Sequence, residues 1–214
     1  MSAPVTPTPG SSPVRVDKVE TSGTFSLDGQ TFDVDNNVWL VGDDERVIVV
    51  DAAHDAEPII AAVGEREVVA LVLTHGHDDH ISAAGDVWKT THAPVWLHPE
   101  DRMLWDVLYT TTPDRELVDG TVLTIGDVTL TALHTPGHSP GSTCLYAPSL
   151  GTVFTGDTLF DGGPGATGRS YSDRPTIEAS IRARLLTLPP ETVVRPGHGT
   201  DTTVAAEAAR VPFA

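Results

Sequence analysis

The chain has 214 residues, 39% of them hydrophobic, and its 13 Lys and Arg against 30 Asp and Glu give a formal net charge of -17. This length predicts one domain with a substantial core, and the acidity disfavours nucleic acids and anionic membranes as partners. Cys144 is the single cysteine, which excludes an intrachain disulfide and fits a reducing compartment. We therefore expect a cytoplasmic protein without a secretory signal or a membrane span.

The amino-terminal part begins with a tail, which a run of strands follows. Residues 1–13, mostly Pro, Ser and Thr, predict a flexible tail, and residues 14–214 predict a single domain. Asp28-Gly29 is typical of a two-residue hairpin turn, and a short helix is predicted at 57–63. Apolar residues predict five strands before this helix, at 15–20, 24–27, 30–34, 37–41 and 47–50.

Strands and helices alternate through the rest of the chain. The apolar patterns predict strands at 68–73, 94–97, 121–125, 128–133, 142–146, 152–155 and 192–195. They predict helices at 82–91, 99–108, 176–188 and 203–210. Strands open each half and helices are interspersed, an order that favours an α/β fold with two sheets face to face and helices outside.

Four polar loops that follow predicted strands carry residues able to bind metal. A loop at the end of a buried strand is firmly held yet reaches solvent, which is where functional sites are usually built. Imidazole and carboxylate donors suit zinc, iron or manganese. The four loops offer seven such donors, which are His75, His77, Asp79, His80, His138, Asp157 and His198.

The number of donors favours two metal ions, because seven exceed the three or four protein ligands of one zinc ion. His75 and His77 are separated by one residue and can reach one ion from the same side, which leaves Asp79 and His80 for a second. A cluster this dense without a cation would be costly, since each buried polar group needs a partner. We therefore expect two divalent ions and assign them as zinc, with iron and manganese as alternatives.

The order of these motifs resembles the metal signature of the metallo-β-lactamase superfamily. That signature is H-x-H-x-D-H, found here at 75–80, followed by His138, Asp157 and His198, and the resemblance spans about residues 15–200. Three longer segments are similar to the glyoxalase II branch, the hydroxyacylglutathione hydrolases. They are Thr-Pro-Gly-His-Ser-Pro-Gly-Ser at 135–142, Phe-Thr-Gly-Asp-Thr-Leu-Phe at 154–160 and Pro-Gly-His-Gly at 196–199.

The resemblance implies an αββα four-layer sandwich and a ligand set for each ion. It assigns the first ion to His75, His77 and His138, the second to Asp79, His80 and His198, and makes Asp157 the bridge. The implied reaction is hydrolysis of a small-molecule thioester by a hydroxide that both ions share, with paired cations holding the developing oxyanion. Asp79 is then the catalytic residue, because it can orient the nucleophile and pass a proton to the leaving thiolate.

The sequence also departs from glyoxalase II in a way that concerns the thiol. Those enzymes carry a C-terminal helical domain that holds glutathione, whereas only residues 199–214 follow His198 here. We therefore expect the same chemistry on a different thiol. The pattern is also similar to short actinobacterial superfamily members associated with mycothiol metabolism, so an acyl- or formyl-mycothiol, less anionic than glutathione, is a candidate substrate.

Four further residues are candidates for supporting roles. Asp51 ends a buried strand, where the resemblance implies a carboxylate that fixes the tautomer of a metal-bound histidine; capping the next turn is an equally good interpretation. His54, in the same loop, is predicted either to line the mouth of the site or to be solvated. Arg169 and Tyr171 follow a Gly-rich loop near Asp157, and we expect them to contact substrate.

Other functions stay open at this stage. The resemblance also covers persulfide dioxygenase-like oxidoreductases, which would use a single iron on His75, His138 and Asp157. A lactonase or β-lactamase would differ in the leaving group, and a non-enzymatic binding module would hold metal without turnover. Metal content discriminates among them, because one iron with oxygen consumption and two ions with thiol release are distinct outcomes.

Overall fold

The computed structural model describes residues 12–210. The predicted tail therefore lies almost wholly outside the described residues, and the division into a tail and a single domain stays a prediction. The strands of the described part are β1 (Arg15–Leu27), β2 (Gln30–Gly42), β3 (Arg46–Val50), β4 (Glu67–Val72), β5 (Val95–Leu97), β6 (Arg115–Glu116), β7 (Val122–Ile125), β8 (Val128–His134), β9 (Thr143–Ala147), β10 (Thr152–Gly156), β11 (Leu159–Phe160), β12 (Gly163–Pro164), β13 (Val193–Pro196) and β14 (Thr202–Thr203).

The helices connect these strands. They are α1 (Ala56–Val63), α2 (Asp78–Ile81), α3 (Ala84–Thr91), α4 (Arg102–Leu108), α5 (Arg174–Ser180) and α6 (Val204–Arg210). A π-helical segment, Ile181–Leu185, continues α5, and 3-10 turns stand at Pro99–Asp101 and Pro148–Leu150. Within residues 12–210, every helix is too short or too polar to cross a lipid bilayer.

The strands form two six-stranded sheets. The first has the order β1-β2-β3-β4-β5-β6, antiparallel over its first three strands and parallel from β3 onward. The second has the order β14-β13-β10-β9-β8-β7, with β10 and β13 parallel. A two-stranded ribbon of β11 and β12 forms a third, small sheet, and Leu159 of β11 packs with Val153 and Val194 of the second sheet. Each large sheet thus contains parallel strands whose carboxyl ends share one edge.

Three apolar layers hold the fold together. Successive residues of β2 illustrate them, because Trp39 and Val41 pack between the sheets while Leu40 packs on the opposite face with Ile59 and Trp105. The outer face of the second sheet packs against α5, its π-helical continuation and α6. This alternation follows from the period of two in a strand. The predicted α/β class and αββα sandwich are confirmed.

The opening hairpin is longer than the sequence predicted. Asp28 and Gly29 have φ of 54° and 72°, so the two-residue turn is confirmed. The predicted breaks at 21–23 and 35–36 were wrong, since β1 and β2 pair without interruption from Arg15 with Gly42 to Leu27 with Gln30. The polar residues that suggested breaks are paired across the ladder, as Gly23 is with Val34.

Smaller differences occur where backbone pairing overrides sequence pattern. Residues 115 and 116, which no predicted strand covers, form β6 and pair with β5, and the Gly-rich loop near Asp157 contains β12. The helix predicted at 82–91 starts at Ala84, because α2 forms a separate turn within the histidine-rich loop. The helix predicted at 176–188 is divided between α5 and its π-helical continuation.

Candidate metal centre

The seven predicted donors meet at the sheet edge where the parallel strands end. His75 and His77 follow β4, and Asp79 and His80 lie on α2 in the same loop. The other three donors, His138, Asp157 and His198, follow β8, β10 and β13 of the second sheet. The site therefore spans both sheets.

The first group of donors consists of three histidines, His75, His77 and His138. One ring nitrogen from each lies within 4.8 Å of the others, and the Nδ1 of His77 is 2.9 Å from the Nε2 of His138. The rings stand nearly perpendicular to one another, with interplanar angles of 82° to 90°. Nitrogens of three perpendicular rings thus converge on one point.

The second group consists of Asp79, His80 and His198. The Oδ2 of Asp79 lies 3.5 Å from the Nε2 of His80 and 3.3 Å from the Nε2 of His198, and these two nitrogens are 3.3 Å apart. Ligands at a metal–ligand distance of about 2.1 Å in a tetrahedral shell are separated by about 3.4 Å. The spacing of this triangle therefore matches one coordination shell.

Asp157 lies between the two groups. Its Oδ2 is 3.5 Å from the Nε2 of His138 in the first group and 3.5 Å from the Nε2 of His198 in the second. Its Oδ1 is 3.2 Å from the Nε2 of His80. One carboxylate thus faces donors of both groups, as a bridging ligand must.

The donors also have the tautomers that a cation requires. The Nδ1–H groups of His80, His138 and His198 donate to Asp51 Oδ2, the carbonyl of Ala166 and the carbonyl of Asp35, at 2.8, 2.9 and 2.7 Å. A neutral ring whose Nδ1 carries the proton presents an Nε2 lone pair. Lone pairs and carboxylates that face one another repel unless protons or a cation lie between them, so the donor set fits metal.

His75 completes this arrangement through Thr74. The Thr74 hydroxyl donates to Asp51 at 2.9 Å and can accept from the Nδ1–H of His75 at 3.1 Å. The Nε2 of His75 is then a buried lone pair without a hydrogen-bond partner among the described residues, and the Nε2 of His77 is also buried without one. Buried orphan nitrogens are rare in folded proteins, and for His75 an ion at the first group would supply the missing partner.

The electrostatics of the two donor groups differ, and only the second group favours positive charge. Burial lowers the pKa of His198, but attraction to Asp157 and hydrogen bonds to Asp157 and Asp79 outweigh burial and raise its pKa to about 10. Burial and the neighbouring His138 lower the pKa of His77 to about 3. Without metal, protons therefore reside among the second group, whereas His77 is neutral. A cation at the second group has to displace those protons.

Close approach of the loops requires a residue without a side chain. A Cβ on Gly197 would lie 2.5 Å from Cε1 of His80 and 2.7 Å from Oδ1 of Asp157. These contacts are closer than van der Waals packing allows, so a side chain there would displace the donors. Glycine lets the backbone that carries His198 pass directly beside the other ligands.

Two buried aspartates hold the loops that carry the donors. Asp51, with φ of 58°, accepts from the backbone N–H and hydroxyl of Thr74 and from the Nδ1–H of His80. Asp101 accepts from the Gly76 N–H at 2.8 Å and the Gly141 N–H at 2.6 Å, which belong to different donor loops. Sequence reasoning singled out Asp51 but missed Asp101, because an Asp at a helix start is usually a cap.

A cavity of about 490 Å³ opens above the donors. Besides His77, Asp79, His138, Asp157, His198 and Gly199, its walls are formed by Glu20, Phe25, Val34, Asp35 and Ala166. The walls thus combine apolar side chains with two carboxylates, and the described part of the chain contributes neither Lys nor Arg to the lining. Phe25 stands edge-on to His77 at 5.1 Å between ring centroids.

The remaining predicted substrate contacts lie around this cavity. The guanidinium of Arg169 sits 4.6 Å from the ring centroid of Phe32 and 5.8 Å from that of Phe25, and it donates to Gln30 at 3.0 Å. Tyr171 is exposed on the surface with φ of 69°. His54 contacts Asn36, and neither residue is among those that line the cavity. Arg169 therefore packs beside a wall residue, and substrate contact by all three remains a prediction.

A separate cluster of potential ligands, His98, Glu100 and His134, has poorer geometry for metal. The two rings are stacked with centroids 4.1 Å apart and planes only 10° from parallel. Their lone pairs lie in these nearly parallel planes and do not converge on a shared point. The Nε2–H of His134 donates to the carbonyl of Pro140, so a structural role fits this pair.

Comparison with known proteins places the chain in a family. Residues 31–198 match the family model of the metallo-beta-lactamase superfamily, and the chain belongs to this superfamily of metal-dependent hydrolases. The Bacillus subtilis probable metallo-hydrolase YqgX is 34% identical over 192 residues, covering 83% of this chain and 91% of that protein. The Haemophilus influenzae hydroxyacylglutathione hydrolase GloC is 32% identical over 194 residues, covering 83% and 92%.

Solved structures share both the fold and the extent of the chain. The BLEG-1 B3 metallo-beta-lactamase superimposes with a TM-score of 0.76 at 33% identity, covering 90% of this chain and 99% of its own. TTHA1623 in a di-iron-bound form superimposes with a TM-score of 0.75 at 34% identity, covering 85% of this chain and 96% of its own. ETHE1 from Myxococcus xanthus superimposes with a TM-score of 0.71 at 25% identity, covering 90% of this chain and 83% of its own.

Proposed function

We propose that this protein is a dinuclear metallohydrolase of the glyoxalase II-like branch that cleaves the thioester of a low-molecular-weight thiol. The observation that carries the proposal is the position of Asp157, which faces His138 on one side and His80 and His198 on the other. A carboxylate shared by two complete donor groups supports two ions rather than one. The similarity to GloC supports the thioester.

The ligand assignment follows the two groups. The first ion is held by His75, His77 and His138, the second by Asp79, His80 and His198, and Asp157 serves both. In this assignment Asp51 fixes the Nδ1–H tautomer of His80, since it accepts from that group at 2.8 Å. We assign both ions as zinc, because five imidazoles and two carboxylates suit it, and iron is the competing assignment given the di-iron form of TTHA1623.

The ions, when bound, would polarise the thioester carbonyl and lower the pKa of water so that a nucleophile forms near neutral pH. The chain supplies the rest of the chemistry. The carboxylate of Asp79 lines the cavity, where it can accept a proton from the attacking water and return it to the departing sulfur. Water then adds to the acyl carbon as the carbon–sulfur bond breaks, giving a carboxylic acid and a thiol.

The cavity walls bear on the identity of the thiol. Glu20 and Asp35 line the cavity, and among the described residues neither Lys nor Arg does, so the carboxylates of a thiol that lies against these two side chains are repelled there. This charge pattern supports a substrate less anionic than a glutathione thioester, such as an acyl- or formyl-mycothiol. Phe25, Val34 and Ala166 offer apolar contact for the rest of the molecule.

Two alternatives within the superfamily are each favoured by one observation. An oxidoreductase with one iron on His75, His138 and Asp157 is favoured by the position of Asp157, whose Oδ2 lies 3.5 Å from the Nε2 of His138. BLEG-1, at 33% identity, favours a β-lactamase, with a lactonase as the related case. The single-iron assignment leaves the 3.3–3.5 Å triangle of Asp79, His80 and His198 without a role. Our proposal gives every converging donor a function.

The test combines metal analysis with a substrate panel. Protein loaded with zinc should hold two ions per chain and release free thiol from acyl thioesters, with mycothiol esters cleaved faster than glutathione esters. A chromogenic cephalosporin, a lactone and a persulfide with an oxygen electrode form the competing arms. One iron per chain with oxygen consumption, or lactam cleavage without thiol release, would refute the thioesterase.

A further inference from the structure

A chain of hydrogen bonds connects the surface loop after β3 to a residue of the metal centre. The Nε2 of His54 is 2.7 Å from the Oδ1 of Asn36, and the Nδ2 of Asn36 donates to the Oδ2 of Asp79 at 3.2 Å. Asn36 is fully buried and Asp79 is 3% exposed, whereas His54 is half-buried. The chain therefore runs from the rim of the fold to the second group of donors.

The direction of each hydrogen bond is fixed by chemistry. An ionised Asp79 only accepts, so the amide nitrogen of Asn36 must face it and the amide oxygen must face His54. That oxygen accepts only if the Nε2 of His54 carries a proton. A protonated His54 would also carry that proton, so the chain keeps its direction in both states of the ring.

The local structure places His54 for this contact at some cost. Its φ of 56° is in the left-handed region, which residues other than glycine adopt infrequently. Its backbone N–H is held by the hydroxyl of Ser82 at 2.9 Å. Its ring fills the space beside Gly23, where a Cβ would lie 2.3 Å from the Nδ1. Strained residues held by several contacts are concentrated at functional sites.

We propose that His54 is a positioning residue that acts through Asn36 to orient the carboxylate of Asp79 for the second metal ion. The proposal rests on the proposed dinuclear function, because it needs Asp79 to be a ligand. Outer hydrogen bonds of this kind commonly contribute 10–100-fold to metal affinity. The role differs from direct substrate contact, since the ring of His54 contacts Asn36 and His54 is not among the residues that line the cavity.

The decisive variants are His54→Gln and His54→Glu, which have the same shape and opposite hydrogen-bonding character. Gln donates to the oxygen of Asn36 and preserves the chain, whereas Glu only accepts and turns the amide away from Asp79. We expect H54Q to keep the affinity for the second zinc within about twofold and H54E to lower it at least tenfold. A purely Coulombic effect has the opposite sign, because an added carboxylate would strengthen cation binding.

The measurements are zinc per chain and competition with a chromogenic chelator, together with kcat and KM on a thioester that the wild-type protein cleaves. In H54E the affinity for the first ion and KM should stay within about twofold while kcat falls with the second ion. His92 provides matched controls, since it also has positive φ (54°) but contacts Trp88, away from the site. H92Q and H92E should both behave as wild type.

Asn36→Leu tests whether Asn36 transmits the effect. In that background H54E should change the second-ion affinity by less than about twofold, because the pathway is already broken. A tenfold loss in that background, or equal second-ion affinity in H54Q and H54E, would overturn the proposal, and a rise in KM alone would instead indicate substrate contact. If wild-type protein cleaves no thioester, the proposed function fails, while the chelator competition still decides the role of His54.

Discussion

At the scale of single residues, the donors depend on carboxylates that do not belong to the donor set. Asp101 is fully buried, and it accepts from the backbone of two donor loops and from the hydroxyl of Ser139 at 2.7 Å. Burial raises its pKa, and the hydrogen bonds from Ser139, Gly141 and Gly76 act in the opposite direction. The loops that bring His75, His77 and His138 together therefore share one anchor.

Replacing Asp101 by Asn should disturb that anchor. An amide has one acceptor oxygen, so at least one of the N–H groups of Gly76 and Gly141 would face an NH₂ group and lose its partner. We expect a loss of about 1–3 kcal/mol in the free energy of unfolding. We also expect the affinity for the first metal ion to fall at least tenfold. Urea denaturation and chelator competition measure the two effects. Asp106→Asn, at an exposed pair with Arg102, should change stability by less than about 0.5 kcal/mol.

The raised pKa of His198 predicts how metal binding depends on pH. With a pKa of about 10, the ring is protonated at neutral pH in the metal-free protein, and metal binding has to release that proton. Affinity for the second ion should therefore rise with pH until about pH 10. Calorimetry in buffers of different ionisation enthalpy counts the released protons, and His198→Gln should release fewer. An affinity that is flat between pH 6 and 9 would contradict the assigned protonation.

The raised pKa of His198 also affects the stability of the metal-free protein. Stability should fall as the pH rises, whereas the affinity for metal should rise. A histidine whose pKa is higher in the folded state stabilises the fold fully below its unfolded pKa, about 6.5. That contribution is lost as the pH rises through about 10, where the folded protein also loses the proton. Metal-free protein should thus lose stability between about pH 6.5 and 10, and His198→Gln should reduce this slope in urea titrations.

At the scale of secondary-structure elements, the hairpin of β1 and β2 forms a wall of the cavity. Its tip is tied to the loop at 165–172, where Ser170 donates to Asp28 through both its N–H and its hydroxyl. The hairpin contributes Glu20, Phe25, Val34 and Asp35 to the cavity lining. The charge and shape of the cavity are therefore set largely by this one element.

Removing charge from the hairpin should relax selection against anionic thiols. Glu20→Gln leaves the shape of the wall nearly unchanged and removes one carboxylate, which Lys18 offsets only weakly at 3.8 Å in an exposed pair. We expect kcat/KM for a glutathione thioester to rise about threefold and that for an uncharged thioester to stay constant, since partly solvated charges interact by less than about 1 kcal/mol. An equal change for both substrates would exclude an electrostatic filter.

The elements also show what the sequence could and could not predict. The donor loops were predictable, because each follows a continuous apolar strand and carries its donors within a few residues. Asp101 and Asn36 were not, since their partners Gly76 and Asp79 are 25 and 43 residues away along the chain. No local pattern distinguishes such residues from a helix cap or a strand residue. The polar stretches within β1 and β2 led to predicted breaks for a similar reason. Their backbone groups pair with residues of the opposite strand, and the sequence does not show this pairing.

At the scale of the whole molecule, the metal centre joins the two halves of the sandwich. His75, His77, Asp79 and His80 follow a strand of the first sheet, and the remaining donors follow strands of the second. Binding an ion to donors of both sheets stabilises the folded state alone, because the unfolded chain does not hold the donors together. On the proposed ligand assignment, we therefore expect metal content and global stability to be coupled.

Removal of metal should lower the thermal stability of the entire domain. For free zinc at about one hundred times its dissociation constant, the linked stabilisation is about 2.7 kcal/mol. EDTA should lower Tm by several degrees, and zinc added after removal of EDTA should restore it. Mg²⁺ should not, because it prefers oxygen ligands. A Tm that is the same with and without EDTA would show that the loops keep their packing without the ions.

The distribution of the donors over the sheets has a consequence for dividing the chain. The surface segment at 110–112 is exposed and lies between the two sets of donor loops. A cut there would leave four donors on one fragment and three on the other, so that neither fragment carries either ion's full set. Co-expressed fragments should associate through the apolar layer between the sheets and regain hydrolysis only when zinc is supplied. Zinc-dependent hydrolysis would then measure how much of the protein has reassembled from the two fragments.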